Sequence, residues 1–198
     1  MTATGRPRLC IYCGSRNGDD PAFVEAADRV GRLIGGRGAD LVYGGGHVGL
    51  MGVVADAALE SGSHVIGVIT HQLADREVGH NGLSELRHVA DMTVRKREMF
   101  DAADAFMTLP GGIGTMEELF EVLCWSYLGI HPKPVGILNV GGYYDHLIAF
   151  IDHSVERGLC QPRVSELLLA DDDPERLLDR LLPDGVDDPA GEADLVAP

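Results

Sequence analysis

The sequence predicts an α/β fold: an open, doubly wound, mostly parallel sheet forming a single domain. Short apolar runs alternate with longer segments of helical period along the chain. The runs are continuously apolar rather than alternating, as in a sheet covered by helices on both faces. Two glycine-rich turns, residues 43–52 and 109–118, each follow such a run and open onto a helical pattern. In doubly wound sheets, ligands bind at these carboxyl ends of the strands.

Taken in order, residues 8–14 read as a first buried strand ending in the turn Gly14-Ser15-Arg16-Asn17-Gly18. Residues 21–37 place Phe23, Ala26, Ala27, Val30, Leu33 and Ile34 at a helical period, with Pro21 at a permitted first position. Residues 39–43 form a second strand, 48–61 an alanine-rich helix closed by Gly62, and 64–69 a third strand. Residues 70–85 are polar without a clear period and read as a long loop, a place where function often sits. A fourth strand is expected at 86–90, a helix with a charge-rich start at 93–103, and a fifth strand at 105–109. Residues 115–128 give a strong helix with Met116, Leu119, Phe120, Leu123 and Tyr127 on one face. A sixth strand at 134–139 and helices at 143–157 and 174–182 complete a Rossmann-like domain over residues 8–182. Residues 183–198 are acidic, bear Pro and Gly, and read as a flexible tail.

Bulk properties narrow the function. An apolar content of 45% over 198 residues suits one core. A formal net charge of −15 repels nucleic acid and anionic membranes, so neither is expected as a partner. A phosphate ligand must then be held by local donors. No apolar run approaches the ~20 residues of a membrane span, and the first residues lack the apolar core of a signal peptide; a cytoplasmic location is expected. Cys10 and Cys13 have C-x-x-C spacing but sit in a strand, where residues three apart face opposite ways. With no second pair to complete a zinc site, these and Cys124 and Cys160 read as structural thiols.

The motifs eliminate several chemistries. Gly44-x-Gly46-x-x-Gly49 matches the dinucleotide fingerprint, but follows the second strand rather than the first and has no acidic residue at the next strand end. It reads as a tight strand–helix turn or as one wall of a phosphate site. The only lysines, Lys96 and Lys133, do not follow glycine, so a Walker-type loop is absent. Lys133 lies between two prolines and Lys96 between two arginines, and neither resembles the Schiff-base lysine of pyridoxal phosphate chemistry. His47, His71, His80 and His88 show no ligand pairing and read as solvated, while Met51, Met99 and Met116 read as packing residues.

One constellation stands out. Arg95-Lys96-Arg97 lies near the start of one helix; Glu117 and Glu118 lie at the start of the next, directly after Gly111-Gly112-Ile113-Gly114-Thr115. The helix dipole favours both ionised carboxylates. Taken alone, either cluster is equally a solvated helix start with a routine surface ion pair. Combined with two glycine turns, the set describes a site with anion donors and a charged pair.

Pro110-Gly111-Gly112-Ile113-Gly114-Thr115-Met116-Glu117-Glu118 fits P-G-G-x-G-T-x-x-E. With Arg95-Lys96 upstream, the chain resembles the Lonely Guy family of cytokinin-activating phosphoribohydrolases, whose members often carry the label "lysine decarboxylase". The resemblance runs from about residue 9 to residue 182 and takes in Cys13-Gly14-Ser15, the first glycine turn with Gly45, Trp125 and Lys133-Pro134-Val135-Gly136. It implies hydrolysis of N6-substituted adenosine 5′-monophosphates, or AMP, to free base and ribose 5-phosphate. It also implies no metal, no organic cofactor, and a homodimer with the site near the subunit interface. Arg95 and Glu118 match the catalytic pair. Lys96 and Gly112–Glu118, a run that includes Met116 and Glu117, match the substrate-binding segment, beside Ser15, Gly45 and Gly111 of the glycine turns. Glu77 matches an acidic contact in the long loop, and Cys124 stands where relatives often have threonine. Thr93 replaces a histidine usual in the family, which bears on substrate preference. Two other readings stay open on the residues alone: a general nucleoside monophosphate nucleosidase, and a non-catalytic nucleotide or cofactor carrier on the same fold.

Overall fold

Strand β1 (Arg8–Tyr12) is the centre from which the chain winds in both directions. The computed structural model describes residues 5–77 and 79–183, with the side chains of residues 75–77 excepted; the expected tail lies outside these but for Pro183. After β1 come α1 (Pro21–Gly36), β2 (Asp40–Tyr43), α2 (Gly49–Glu60), β3 (Val65–Thr70), α3 (His71–Glu77) and β4 (Glu85–Val89). The chain then crosses back through α4 (Met92–Ala102) to β5 (Ala105–Thr108), α5 (Ile113–Tyr127), β6 (Val135–Leu138), α6 (Asp145–Glu156), α7 (Arg163–Leu167), β7 (Leu168–Asp171) and α8 (Pro174–Leu181). The strands lie in the order β4-β3-β2-β1-β5-β6-β7, all pairs parallel. The direction of winding reverses between β1 and β5. Beyond the carboxyl ends of these two strands a crevice must open, because their connections leave to opposite sides.

The continuous apolar strands are explained by burial on both faces. Along β1, Leu9 and Ile11 point into a core shared with Val30 and Ile34 of α1, Val54 and Ala58 of α2 and Leu177 of α8. Cys10 and Tyr12 point the other way, against Met99 and Phe100 of α4 and Leu119 and Val122 of α5. Cys13 faces the first core and Cys10 the second, so the C-x-x-C pair is split across the sheet as expected. All four cysteines are free thiols, and burial raises that of Cys10 far above its ordinary range.

Two expectations about elements are corrected. The stretch 70–85 is not a loop throughout: α3 occupies its first half, and Gly79 then pairs with Gly46 as an isolated bridge. A seventh strand, β7, also extends the sheet. It was hidden because Leu168–Asp171 follows α7 with no glycine or proline between them to separate the two patterns.

Candidate active site

Both glycine turns lie at the reversal point or beside it. The second leaves β5 and enters α5, whose N-cap is Gly112 with no side-chain cap. Helices α1, α4 and α8 instead carry Asp20, Asp91 and Asp173 as caps, each accepting a backbone N–H. At α5 the N–H groups of Gly112, Ile113, Gly114 and Thr115 therefore have neither an intrahelical acceptor nor an aspartate, and the dipole adds positive potential there. A Cβ on Gly112 or Gly114 would meet no protein atom within 4 Å. Protein packing does not demand glycine at these positions, and without a Cβ the backbone N–H groups there stay open to close approach. Gly111 is different, since a Cβ there would collide with the Thr115 side chain.

Arg95 sits on α4 with its guanidinium driven inward, 5% exposed. Nε donates to Val68 O (2.9 Å), Nη2 to Gly44 O (3.2 Å) and Nη1 to Glu118 Oε1 (3.0 Å). A Cβ at Gly44 would collide with Nη2, so that glycine makes room for the arginine. The three donors tie together the end of β3, the first glycine turn and α5. The Nη1 bond is charge-assisted and fixes the buried Glu118 carboxylate. Helical period separates the cationic run: Arg95 points in, Lys96 is half-buried and Arg97 is exposed. Lys96 Nζ donates to Glu117 and to Glu121 Oε1 (3.0 Å). Partial burial opposes its charge, but the two carboxylates prevail and raise the ammonium above its usual value.

A cavity of about 330 Å³ holds much of the expected set: Ser15, Arg95, Gly112, Ile113, Gly114, Thr115, Glu117 and Glu118 line it. Met51, Leu73 and Met92 give it an apolar side. A second cavity, of about 430 Å³, adjoins at Gly14, Ser15 and Gly112 and includes Gly111, Phe23 and Tyr143. The remaining expected residues stand elsewhere. Gly45, at φ 77°, is packed against Ile69 and Leu86, and its carbonyl accepts the His80 N–H (3.0 Å). Met116 packs on the core, and Cys124 is exposed farther along α5. Glu77 closes α3, and its side chain lies outside the described set.

One histidine departs from expectation. His80 is buried, and with His47 and Asp56 it brings ligand atoms within 4.8 Å of one another. Its Nδ1 accepts the Gly82 N–H (3.1 Å), which leaves the ring proton on Nε2 to be donated to Asp56 Oδ1 (2.8 Å). An ion on Nε2 would make Nδ1 a donor facing another donor. The cluster therefore suits a clasp between α2 and the segment after α3 better than it suits a cation. Sequence reading missed this because the partners lie 24 residues apart with no ligand motif.

The two lysines offer no Schiff-base site. Lys96 is tied to two carboxylates, and Lys133 Nζ donates to Phe100 O (2.6 Å) while lying 4.1 Å from that ring's centroid.

A protein family described as "Possible lysine decarboxylase" matches the chain over residues 51–181. The chain is 47% identical over 174 residues to a probable cytokinin riboside 5′-monophosphate phosphoribohydrolase of Oryza sativa subsp. japonica, covering 88% of this chain and 71% of that relative. It is 48% identical over 174 residues to a cytokinin riboside 5′-monophosphate phosphoribohydrolase of Arabidopsis thaliana, covering 88% of this chain and 80% of that one. Among solved structures, the molybdenum cofactor binding protein from Rippkaea orientalis superposes with a TM-score of 0.66 at 18% identity, covering 90% of this chain and 96% of that one. At that identity the likeness is one of fold.

Proposed function

Because the chain belongs to the Lonely Guy family of cytokinin riboside 5′-monophosphate phosphoribohydrolases, we propose that it hydrolyses the N-glycosidic bond of adenosine 5′-monophosphates, N6-substituted ones included. Water adds to the anomeric carbon, the bond to the base breaks, and the proton lost by water is balanced by the one gained by the departing base. The products are free base and ribose 5-phosphate.

The single observation that carries this reading is the buried Arg95–Glu118 pair facing the same cavity as the uncapped start of α5. The N–H groups of Gly112–Thr115 hold the 5′-phosphate against the chain's overall negative charge. Binding of that remote group fixes the ribose for reaction. Glu118 stabilises the positive charge that builds on the ribose as the bond breaks, and it takes the proton from water. Arg95, with three of its N–H groups already engaged, keeps Glu118 ionised and aimed. The apolar side formed by Met51, Leu73 and Met92 suits the base. A carrier of the same fold would need the glycine turns but not this pair.

Two finer statements belong to the same proposal. The chain works as a homodimer, for which the exposed Ile113 and Phe120 on α5 provide apolar surface beside the site. It acts in the cytoplasm on a free nucleotide, its net charge of −15 opposing nucleic acid and anionic membranes as partners; no helix among the described residues is long and apolar enough to cross a membrane.

Incubation with a panel of purine and pyrimidine nucleoside monophosphates, followed by chromatography for free base, tests the reaction. Release of base from AMP and isopentenyl-AMP but not from pyrimidine nucleotides is expected. Binding without release would favour a carrier, and release across the whole panel a general nucleosidase.

A further inference from the structure

The carbonyls of the second glycine turn are held back one after another. Leu109 O accepts from Tyr144 Oη (2.7 Å), Pro110 O from Gly14 N (3.0 Å) and Gly111 O from Tyr143 Oη (2.6 Å). A peptide unit is planar and trans, so its carbonyl and the following N–H point in opposite directions. Fixing Pro110 O aims the Gly111 N–H away from Gly14, and fixing Gly111 O aims the Gly112 N–H away from Tyr143. The Gly111–Gly112 peptide is the one most in need of such a hold. With glycine on both sides it has little steric resistance to rotation, and rotation would turn a carbonyl oxygen toward the anion in place of a donor.

We propose that Tyr143 is a positioning residue for the phosphate: its hydroxyl fixes the Gly111–Gly112 peptide so that the Gly112 N–H stays directed at the 5′-phosphate. The inference rests on the phosphate cradle described under the proposed function. Tyr143 reaches the turn from the segment just before α6, in the wall of the second cavity, where its ring meets Phe23 edge-on at 5.4 Å. It is 44% exposed, so loss of its hydroxyl leaves no buried void. Tyr144 provides the contrast. It is 2% exposed, burial raises its hydroxyl far above the ordinary range, and its acceptor precedes Pro110, which has no N–H to aim. Its bond anchors the turn without orienting a donor.

The test compares kcat/KM for AMP and for adenosine in the full chain, its Tyr143→Phe variant and its Tyr144→Phe variant, together with the affinity for ribose 5-phosphate by calorimetry. For Tyr143→Phe, kcat/KM for AMP is expected to fall about threefold to tenfold, the scale of one lost hydrogen bond. Adenosine turnover stays unchanged, ribose 5-phosphate affinity falls by the same factor, and the melting temperature stays near the parent's. Tyr144→Phe lowers the melting temperature and keeps the AMP-to-adenosine ratio. The proposal is overturned if Tyr143→Phe leaves the ratio and the ribose 5-phosphate affinity at the parent's values. Equal losses on both substrates, or an equal shift of the ratio by Tyr144→Phe, also overturn it. The parent protein reports separately on the underlying reading: no cleavage of AMP removes the enzymatic function, and equal cleavage of AMP and adenosine removes the cradle whatever Tyr143 does.

Discussion

Arg95 Nη1 donates to Glu118 Oε1 across 3.0 Å, joining the first half of α4 to the second turn of α5 where neither side chain is more than about a tenth exposed. The other two contacts of the guanidinium end on main-chain carbonyls of Val68 and Gly44. The ion pair is thus also a structural joint between three segments.

Arg95→Ala therefore carries a stability cost as well as a catalytic one. Removing one member of a buried ion pair leaves the other uncompensated, typically at about 3–5 kcal/mol. Urea unfolding monitored by circular dichroism should show a lowered midpoint with an unchanged slope. Arg95→Lys should recover little, because a point charge cannot span three acceptors.

Gly114→Ala should separate stability from activity. The position lies in the first turn of α5, and a Cβ there meets no protein atom within 4 Å. Alanine in place of glycine in a helix favours folding by roughly 0.5–1 kcal/mol. The same methyl group stands where the phosphate must approach. The variant is expected to melt at or above the parent's temperature while KM for AMP rises; a lower melting temperature with unchanged KM would count against the cradle.

His131 gives the fold a pH dependence. Burial among aromatic rings holds its imidazole below the usual value, despite the bond its Nε2 donates to Val122 O, and the nearby Lys133 charge acts in the same direction as burial. The folded state thus favours the neutral ring. Its contribution is complete above the unfolded pKa of about 6.5 and is lost as pH falls through the lower folded value. Melting curves from about pH 7.5 to about pH 5 should show the advantage of the parent over His131→Gln shrinking as pH falls.

Phe120→Asp tests the homodimer. The side chain is 40% exposed on α5, beyond Ile113 at 88%. Light scattering should report two copies for the parent and one for the variant, with the fold retained because Phe120 is not part of either core.

What could be read from the sequence divides along physical lines. Glycine turns after apolar runs announce themselves, since few other residues fit a sharp strand–helix junction, and they placed the site at the strand ends. The motif with its following glutamates, read through the family resemblance, pointed to Glu118, whose catalytic role is part of the proposal above. Burial of Arg95 was not legible, because Arg95-Lys96-Arg97 looks like a uniformly solvated charge run until helical period separates its members. Helix α3 was missed because His71–Glu77 holds too few apolar residues to show a period. The tyrosine bonds to Leu109 and Gly111 span more than 30 residues and depend on β6 lying next to β5. That neighbour relationship follows from strand order, which no local pattern encodes.

Adenine release from AMP by the parent protein and by Glu118→Gln is the most direct measurement. The account predicts that the variant retains a folded near-ultraviolet spectrum and releases adenine about 10²–10⁴-fold more slowly, the range for loss of a placed acid–base group. Release by the folded variant at the parent's rate would contradict it.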